Sequence, residues 1–235
     1  MWPVAYPGGV ILGIDTSLGT AVAVVEPDGV VRADVHSADP RGHAEVIGDL
    51  LVRALDDASV TAHDVTHVAA GMGPGPFTGL RVGIAAARTF ALGSGAQVVP
   101  VASHDAAALG ILLNAAIADA PVARFAIVTD ARRREDAYTV YDGLDDDGLP
   151  VRASGPHLCA KDATDDVLAG LDATRVDVVS IPAAMLALAA ARAVAAGRTL
   201  ASDEALYLRA PDVSPPRPAA AAGVGPVPVQ GVTGA

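Results

Sequence analysis

The sequence is poor in cysteine, lysine and aromatic residues. Cys159 is the single cysteine among 235 residues, so no internal disulfide forms and no cysteine-based metal site can be assembled. Lys161 is the single lysine, and all other basic side chains besides histidine are arginine. Aromatic residues make up 3% of the chain, which disfavours the platforms on which nucleic-acid bases stack. Lys plus Arg number 16 against 27 Asp plus Glu, for a formal net charge of −11. That balance repels a polyanion unless the basic residues are strongly segregated, so the chain is not expected to hold RNA by itself. The longest apolar run, 181–196, is too short to span a bilayer and carries Arg192. The first residues lack the basic stretch and apolar run of a signal peptide. A cytoplasmic protein without membrane association is expected.

What is present is 51% hydrophobic, much of it alanine, and ample for a packed core. Three β-branched-rich runs at 10–14, 20–26 and 30–35 are separated by short Gly- or Pro-containing turns, as in an antiparallel meander. From 43 to 58, Val46, Ile47, Leu50, Leu51, Ala54 and Leu55 recur with the spacing of one helical face. A strand is expected at 66–71, a helix at 77–92, a strand at 97–101 and a helix at 103–118. The order β-β-β-α-β-α-β-α is that of a ribonuclease-H-like half-domain, a mixed sheet with helices on its faces. The second half opens the same way, with a strand at 123–129 ending at Asp130, a charged turn, and a strand at 136–142. The first half has Asp15 in the corresponding place, so a duplicated half-domain is one reading and chance similarity the other. Residues 145–148 (Asp-Asp-Asp-Gly) read as a solvated hairpin tip rather than a metal site. Helices at 161–170 and 183–197, with a strand at 176–181 between them, complete the second half. The chain thus divides into a first lobe (1–103), a reduced second lobe (104–210) and a Pro/Ala/Gly-rich tail (211–235) expected to be disordered.

The segment GMGPGPFTGLRVG (71–83) joins a strand to a helix. Glycines there permit φ > 0 and close approach to the backbone, and Pro74 and Pro76 stiffen the loop. Thr78 is a candidate cap of the helix, whose N-terminal amides favour an anion. A phosphate-facing loop, with Gly73, Gly75 and Thr78 as contacts, and a plain tight connection are equally open. Asp15-Thr16-Ser17 at the end of the first strand suits phosphate or Mg²⁺-water contacts, or simply an Asx turn. Gly79, Gly83 and Ala87 recur every four residues and form a small-residue groove for a second helix. Arg81 and Arg88, seven apart, share a face that flanks it. That second helix is either a partner's or the chain's own at 43–58. Ser103, His104 and Asp105 are adjacent on a helix, so their side chains diverge and make no triad. The one His-x-x-x-His spacing, His63 to His67, runs into the expected strand at 66–71 and lacks the glutamate, so the His-Glu-x-x-His motif of a zinc hydrolase is absent.

Together these segments resemble the TsaB (YeaZ) family of bacterial partner proteins in tRNA threonylcarbamoyladenosine synthesis. The resemblance is carried by ILGIDTS (11–17), His43-Ala44-Glu45, the glycine loop, DARRRE (130–135) and Leu206-Tyr207-Leu208-Arg209. Pro76 stands where the family favours serine. The resemblance implies a two-lobed actin-like α/β fold and an accessory role beside a catalytic TsaD-like subunit. TsaD-like proteins carry a metal-binding His-x-x-x-His, and the matching positions here hold Ser103 and Ala107, so no metal is expected. The family's first-lobe helices pair with those of TsaD. The implied partner surface is therefore His43, Glu45, Val46, Ile47, Leu50, Leu51, Ala54, Gly79, Arg81, Gly83, Ala87 and Arg88. No cofactor of its own is implied. ATP or ADP is expected only in an assembled complex, which a TsaE-like ATPase would join, and a homodimer through the same surface is a further expectation.

The rival readings are a stand-alone actin-fold ATPase or kinase, a peptidase and a self-associating module. The first lacks a second glycine cluster between residue 150 and the tail, and the second lacks both a His-Glu-x-x-His motif and a triad.

Overall fold

The meander of short, β-branched strands forms the edge of a five-stranded sheet in the computed structural model, which describes residues 9–39 and 42–209. Strands β1 (Val10–Asp15), β2 (Thr20–Val25) and β3 (Val31–Ser37) run antiparallel. Helix α1 (His43–Ala58) and a short 3-10 turn then deliver β4 (Val65–Gly71), parallel to β1. Helix α2 (Phe77–Ser94) connects β4 to β5 (Gln97–Val101), which completes the order β3-β2-β1-β4-β5. Helix α3 (Ser103–Ile117) leads into the second half.

There the pattern repeats. Strands β6 (Phe125–Asp130), β7 (Glu135–Leu144) and β8 (Pro150–Ala160) form a second antiparallel meander. Helix α4 (Thr164–Gly170) precedes β9 (Thr174–Asp177), parallel to β6, and α5 (Ala183–Ala195) follows. The order β8-β7-β6-β9 mirrors β3-β2-β1-β4 strand for strand. The duplicated half-domain is therefore a property of the topology.

Two differences from the sequence expectation have physical causes. β8 has no counterpart among the expected strands. It is an edge strand carrying Gly155 and Pro156, a composition that edges tolerate because one side needs no ladder donor. β9 ends at Asp177 rather than continuing to 181, since the chain turns there toward α5. The 145–148 segment is the β7–β8 hairpin tip, where the Asp145 carboxylate accepts from Asp147 N and Leu149 N and pairs with Arg198. The tail expected to be disordered (211–235) lies outside the described residues.

The layers follow from which faces are apolar. Helices α1 and α2 bury Ile47, Leu50, Ala54, Leu80, Ile84 and Ala87 against one face of the first sheet. Helices α3 and α5 lie between the two sheets, in a core that joins Ile11 and Ala23 of the first to Phe125, Ile127 and Tyr141 of the second. Helix α4 covers the outer face of the second sheet through Leu168. Alanines dominate α5, and that small-residue face lets the helix sit close to the strands: a Cβ on Gly13 would lie 2.3 Å from the Ala183 carbonyl oxygen. Among the described residues no helix is long and apolar enough to cross a membrane.

Candidate functional site

Both halves end their first strand at an aspartate, Asp15 in β1 and Asp130 in β6. In the first half Asp15 is 1% exposed. Its carboxylate accepts from Ser17 N at 2.7 Å, from Ser17 Oγ at 3.2 Å and from Ser103 Oγ at 2.5 Å. Ser17 and Ser103 hydroxyls also share a 2.7 Å hydrogen bond, and Ser103 Oγ accepts from Gly73 N. The cluster ties the β1–β2 turn to the glycine loop and to the start of α3. Burial pushes the Asp15 carboxyl above its ordinary range, against the opposing pull of Ser103 and Ser17. Thr16 donates to the Gly79 carbonyl at 2.8 Å, and Thr20 Oγ1 lies 2.8 Å from His43 Nδ1.

These contacts redraw the sequence-based candidates. Asp15, Thr16 and Ser17 are all buried and turned to each other and to neighbouring elements, rather than toward a ligand. Gly73 is buried and Gly75 half-buried; a Cβ on Gly75 would meet Ser17 at 2.9 Å, so the loop's glycines serve close packing of backbone on backbone. Thr78 does not cap α2: the N-cap is Pro76, without a side-chain hydrogen bond, and Thr78 is exposed one residue into the helix. The small-residue groove is likewise filled from within. A Cβ on Gly83 would lie 2.2 Å from Thr16 Oγ1, and one on Gly79 would lie 2.8 Å from Thr16 O and 3.0 Å from His43 Nε2. Gly79, Gly83 and Ala87 are buried in the chain's own core, as are His43, Ile47, Leu50 and Ala54. The regular apolar stripe marked the core face; periodicity identifies the buried side of a helix but not what covers it. Val46 and Leu51 are half-buried, and Glu45, Arg81 and Arg88 remain exposed.

Arg81 and Arg88 are also engaged, by a segment whose role the sequence did not disclose. Residues 203–209 run as a strap from α2 toward the second lobe. Arg88 pairs with Asp203 at 2.7 Å, and Leu206 N donates to the Met72 carbonyl. Tyr207 packs on Phe77 with ring centroids 4.6 Å apart and accepts from Arg81 Nε at 3.2 Å, while the Arg81 guanidinium lies 3.8 Å over the Phe77 ring. Arg209 then pairs with Glu135 and donates to the carbonyls of Ala131 and Arg132. The Leu-Tyr-Leu-Arg motif was the only sequence signal for this strap.

The second-half counterpart of the Asp15 turn is Asp130 followed by Arg132, Arg133 and Arg134. Asp130 and all three arginines are exposed. The arginines adopt positive φ in succession, 65°, 55° and 61°. Two cavities flank this turn. One, of about 420 Å³, is lined by Leu18, Pro76, Phe77 and Tyr207 on one side and by Asp130, Arg132 and Arg133 on the other. The second, of about 630 Å³, runs from Thr20 and His43 to Asp130, Arg132 and Ser180. Below the cleft, His104 lies within hydrogen-bond distance of Thr139 and Thr129 (2.8 and 3.0 Å), and burial drives its pKa down to about 3, with the nearby Arg152 charge adding to the effect. Asp105 accepts from Tyr141 and pairs with Arg152 at 2.6 Å. Ser103 and Ala107 are buried. Among the described residues no three His, Cys, Asp or Glu side chains gather as a metal-holding group.

Two mixed sheets of matching order, with helices between and outside them, define a two-lobed actin-like protein. Residues 31–148, half of the chain, match the family described as TsaD, tRNA N6-adenosine threonylcarbamoyltransferase. The chain belongs to this family. An uncharacterized protein of Mycobacterium tuberculosis is 37% identical over 161 residues, covering 65% of this chain and 72% of the relative. A tRNA N6-adenosine threonylcarbamoyltransferase of Streptococcus suis is 37% identical over 107 residues, covering 39% of this chain and 32% of the transferase. The solved structure of YeaZ from Pseudomonas aeruginosa shares the fold, with a TM-score of 0.67 at 24% identity over 85% of this chain and all of that one.

Proposed function

We propose that this chain is a non-catalytic subunit that pairs with a TsaD-like transferase in threonylcarbamoylation of the adenosine beside the anticodon of tRNA. Family membership supports the pathway. The accessory role rests on one observation: the Asp15-Thr16-Ser17 turn is closed onto Ser103, Gly73 and Gly79 by internal hydrogen bonds. In that arrangement the carboxylate positions the glycine loop and α3, and its lone pairs are already engaged by hydroxyls and an amide. Ser103, one of the positions corresponding to the transferase's metal-binding histidines, is one of those hydroxyls.

The partner surface is proposed on the outward faces of α1 and α2. Glu45, Asp49, Val52 and Arg53 are exposed there on α1, and Arg81 and Arg88 on α2, the latter two already held by the strap. A TsaE-like ATPase joins the assembled complex, any ATP or ADP binds only there, and homodimers use the same surface. The test is co-purification with a TsaD-like protein followed by tRNA modification with and without this chain. Undiminished modification in its absence sinks the proposal. Val52→Glu, on the exposed α1 face, is expected to prevent pairing while the monomer keeps its melting temperature.

The cleft cavities favour one second reading, a stand-alone ATPase. Substantial ATP turnover by the purified chain alone would select it.

A further inference from the structure

The turn of three arginines is unlike the rest of this acidic chain. A non-glycine residue with φ > 0 is uncommon, and three in a row persist only if their surroundings hold them there. The surroundings do so. Asp130 Oδ1 accepts from Arg132 N, and Ala131 N donates to Glu135 O. Glu135 N returns a hydrogen bond to Arg132 O, and Lys161 N donates to Arg134 O at 2.9 Å. The strap adds the Arg209 contacts to the Ala131 and Arg132 carbonyls. Five cationic side chains, Arg132, Arg133, Arg134, Lys161 and Arg209, are thereby gathered at one place. Lys161 and Arg209 are offset by Asp130 and Glu135. The Arg132 and Arg134 side chains have no hydrogen bond or ion pair among the described residues.

We propose that this turn contacts the phosphate backbone of RNA, the tRNA of the proposed function being the substrate concerned. The net charge of −11 excludes RNA from most of the surface and leaves the turn as the place of approach, since segregated basic charge steers a polyanion. Guanidinium forks match phosphate oxygens, and a backbone already fixed spares the ordering cost of a flexible loop. Arg132 lines both cavities and Arg133 one of them, beside the Asp130 carboxylate, whereas Arg134 lines neither, so the three arginines are reached together only from the outer rim. That placement favours a backbone passing over the turn rather than a small nucleotide enclosed below it.

The test is fluorescence anisotropy of labelled, unmodified tRNA with the full chain across a salt series. The wild-type chain is expected to bind at low salt. Arg132→Gln combined with Arg134→Gln is expected to weaken binding about tenfold and to lower the log–log salt slope by about 2. Arg132→Lys with Arg134→Lys is expected to recover most of the affinity, and Arg124→Gln, at the opposite end of β6 from Asp130, to leave it unchanged. Absence of wild-type binding at the lowest salt, or a Gln pair with wild-type affinity and slope, overturns the proposal. Displacement of tRNA by ADP at equal phosphate concentration reassigns the turn to free nucleotides, and equal displacement by polyglutamate reassigns it to an acidic protein. Either result also overturns it. The inference rests on the proposed function only for the identity of the RNA: binding that persists while modification proceeds without this chain keeps the contact and removes the subunit role.

Discussion

The two halves of the molecule solve the same turn in opposite ways. In the first, Asp15, Thr16 and Ser17 face inward and lock three elements together through short hydrogen bonds. In the second, Asp130 and the three arginines face outward, and the backbone rather than the side chains carries the constraint. A duplicated scaffold has thus kept one turn as an internal fastening and turned the other into a charged surface. The difference lies in the residues after the aspartate. Small hydroxyls fit beneath a neighbouring helix that carries glycines, whereas arginines cannot.

Substitutions in the two halves probe that asymmetry. The largest effect is expected from Gly83→Leu, whose Cβ would fall 2.2 Å from Thr16 Oγ1; a loss of about 3 kcal/mol is expected on overpacking grounds. Gly170→Leu in the second lobe, with nothing within 4 Å of the added Cβ, is expected to change stability by less than about 0.5 kcal/mol. Urea titration of both variants measures the contrast, and equal losses would break it. Next, Asp15→Asn replaces an acceptor of three donors and is expected to cost about 2–3 kcal/mol. Asp130→Asn, at an exposed position, is expected to cost less than about 0.5 kcal/mol.

The pH dependence sharpens the comparison at the junction of the lobes. His104 has a folded pKa of about 3 against an ordinary value of 6.5. A depressed histidine pKa means that the unfolded state binds the extra proton first, so stability falls as pH drops from about 6.5 toward 3 and is unaffected above that window. His104→Gln is expected to flatten this part of the stability profile; an unchanged slope would contradict the buried neutral imidazole. A smaller loss than that of Gly83→Leu or Asp15→Asn is expected from Tyr207→Ala, which removes the ring pair with Phe77 and lowers stability by about 1 kcal/mol. It should also loosen the 132–134 turn, seen as faster amide exchange there than in the 15–19 turn.

Much of the fold could be read from hydrophobic pattern alone. α1 begins and ends where its apolar spacing does, and the meander of the first half follows its turn residues. β8 escaped because an edge strand with glycine and proline carries little β signal. The candidate site was less legible. The Gly79–Gly83–Ala87 stripe was visible, but its occupant, Thr16, lies more than sixty residues away in sequence. The arginine turn was visible as charge, while its left-handed backbone depends on Lys161 and Arg209, contacts that no local pattern announces.

The path of the chain through the middle layer has one more consequence. α3 comes from the first half yet anchors His104 and Asp105 in the second sheet, and α5 comes from the second half yet lies on the first. Each half therefore supplies part of the other's interior. Cleavage in the exposed stretch 118–124 would yield two pieces that are each incomplete alone and that recover a native core only by reassociating, a natural split-protein pair whose reunion reports on the intact architecture.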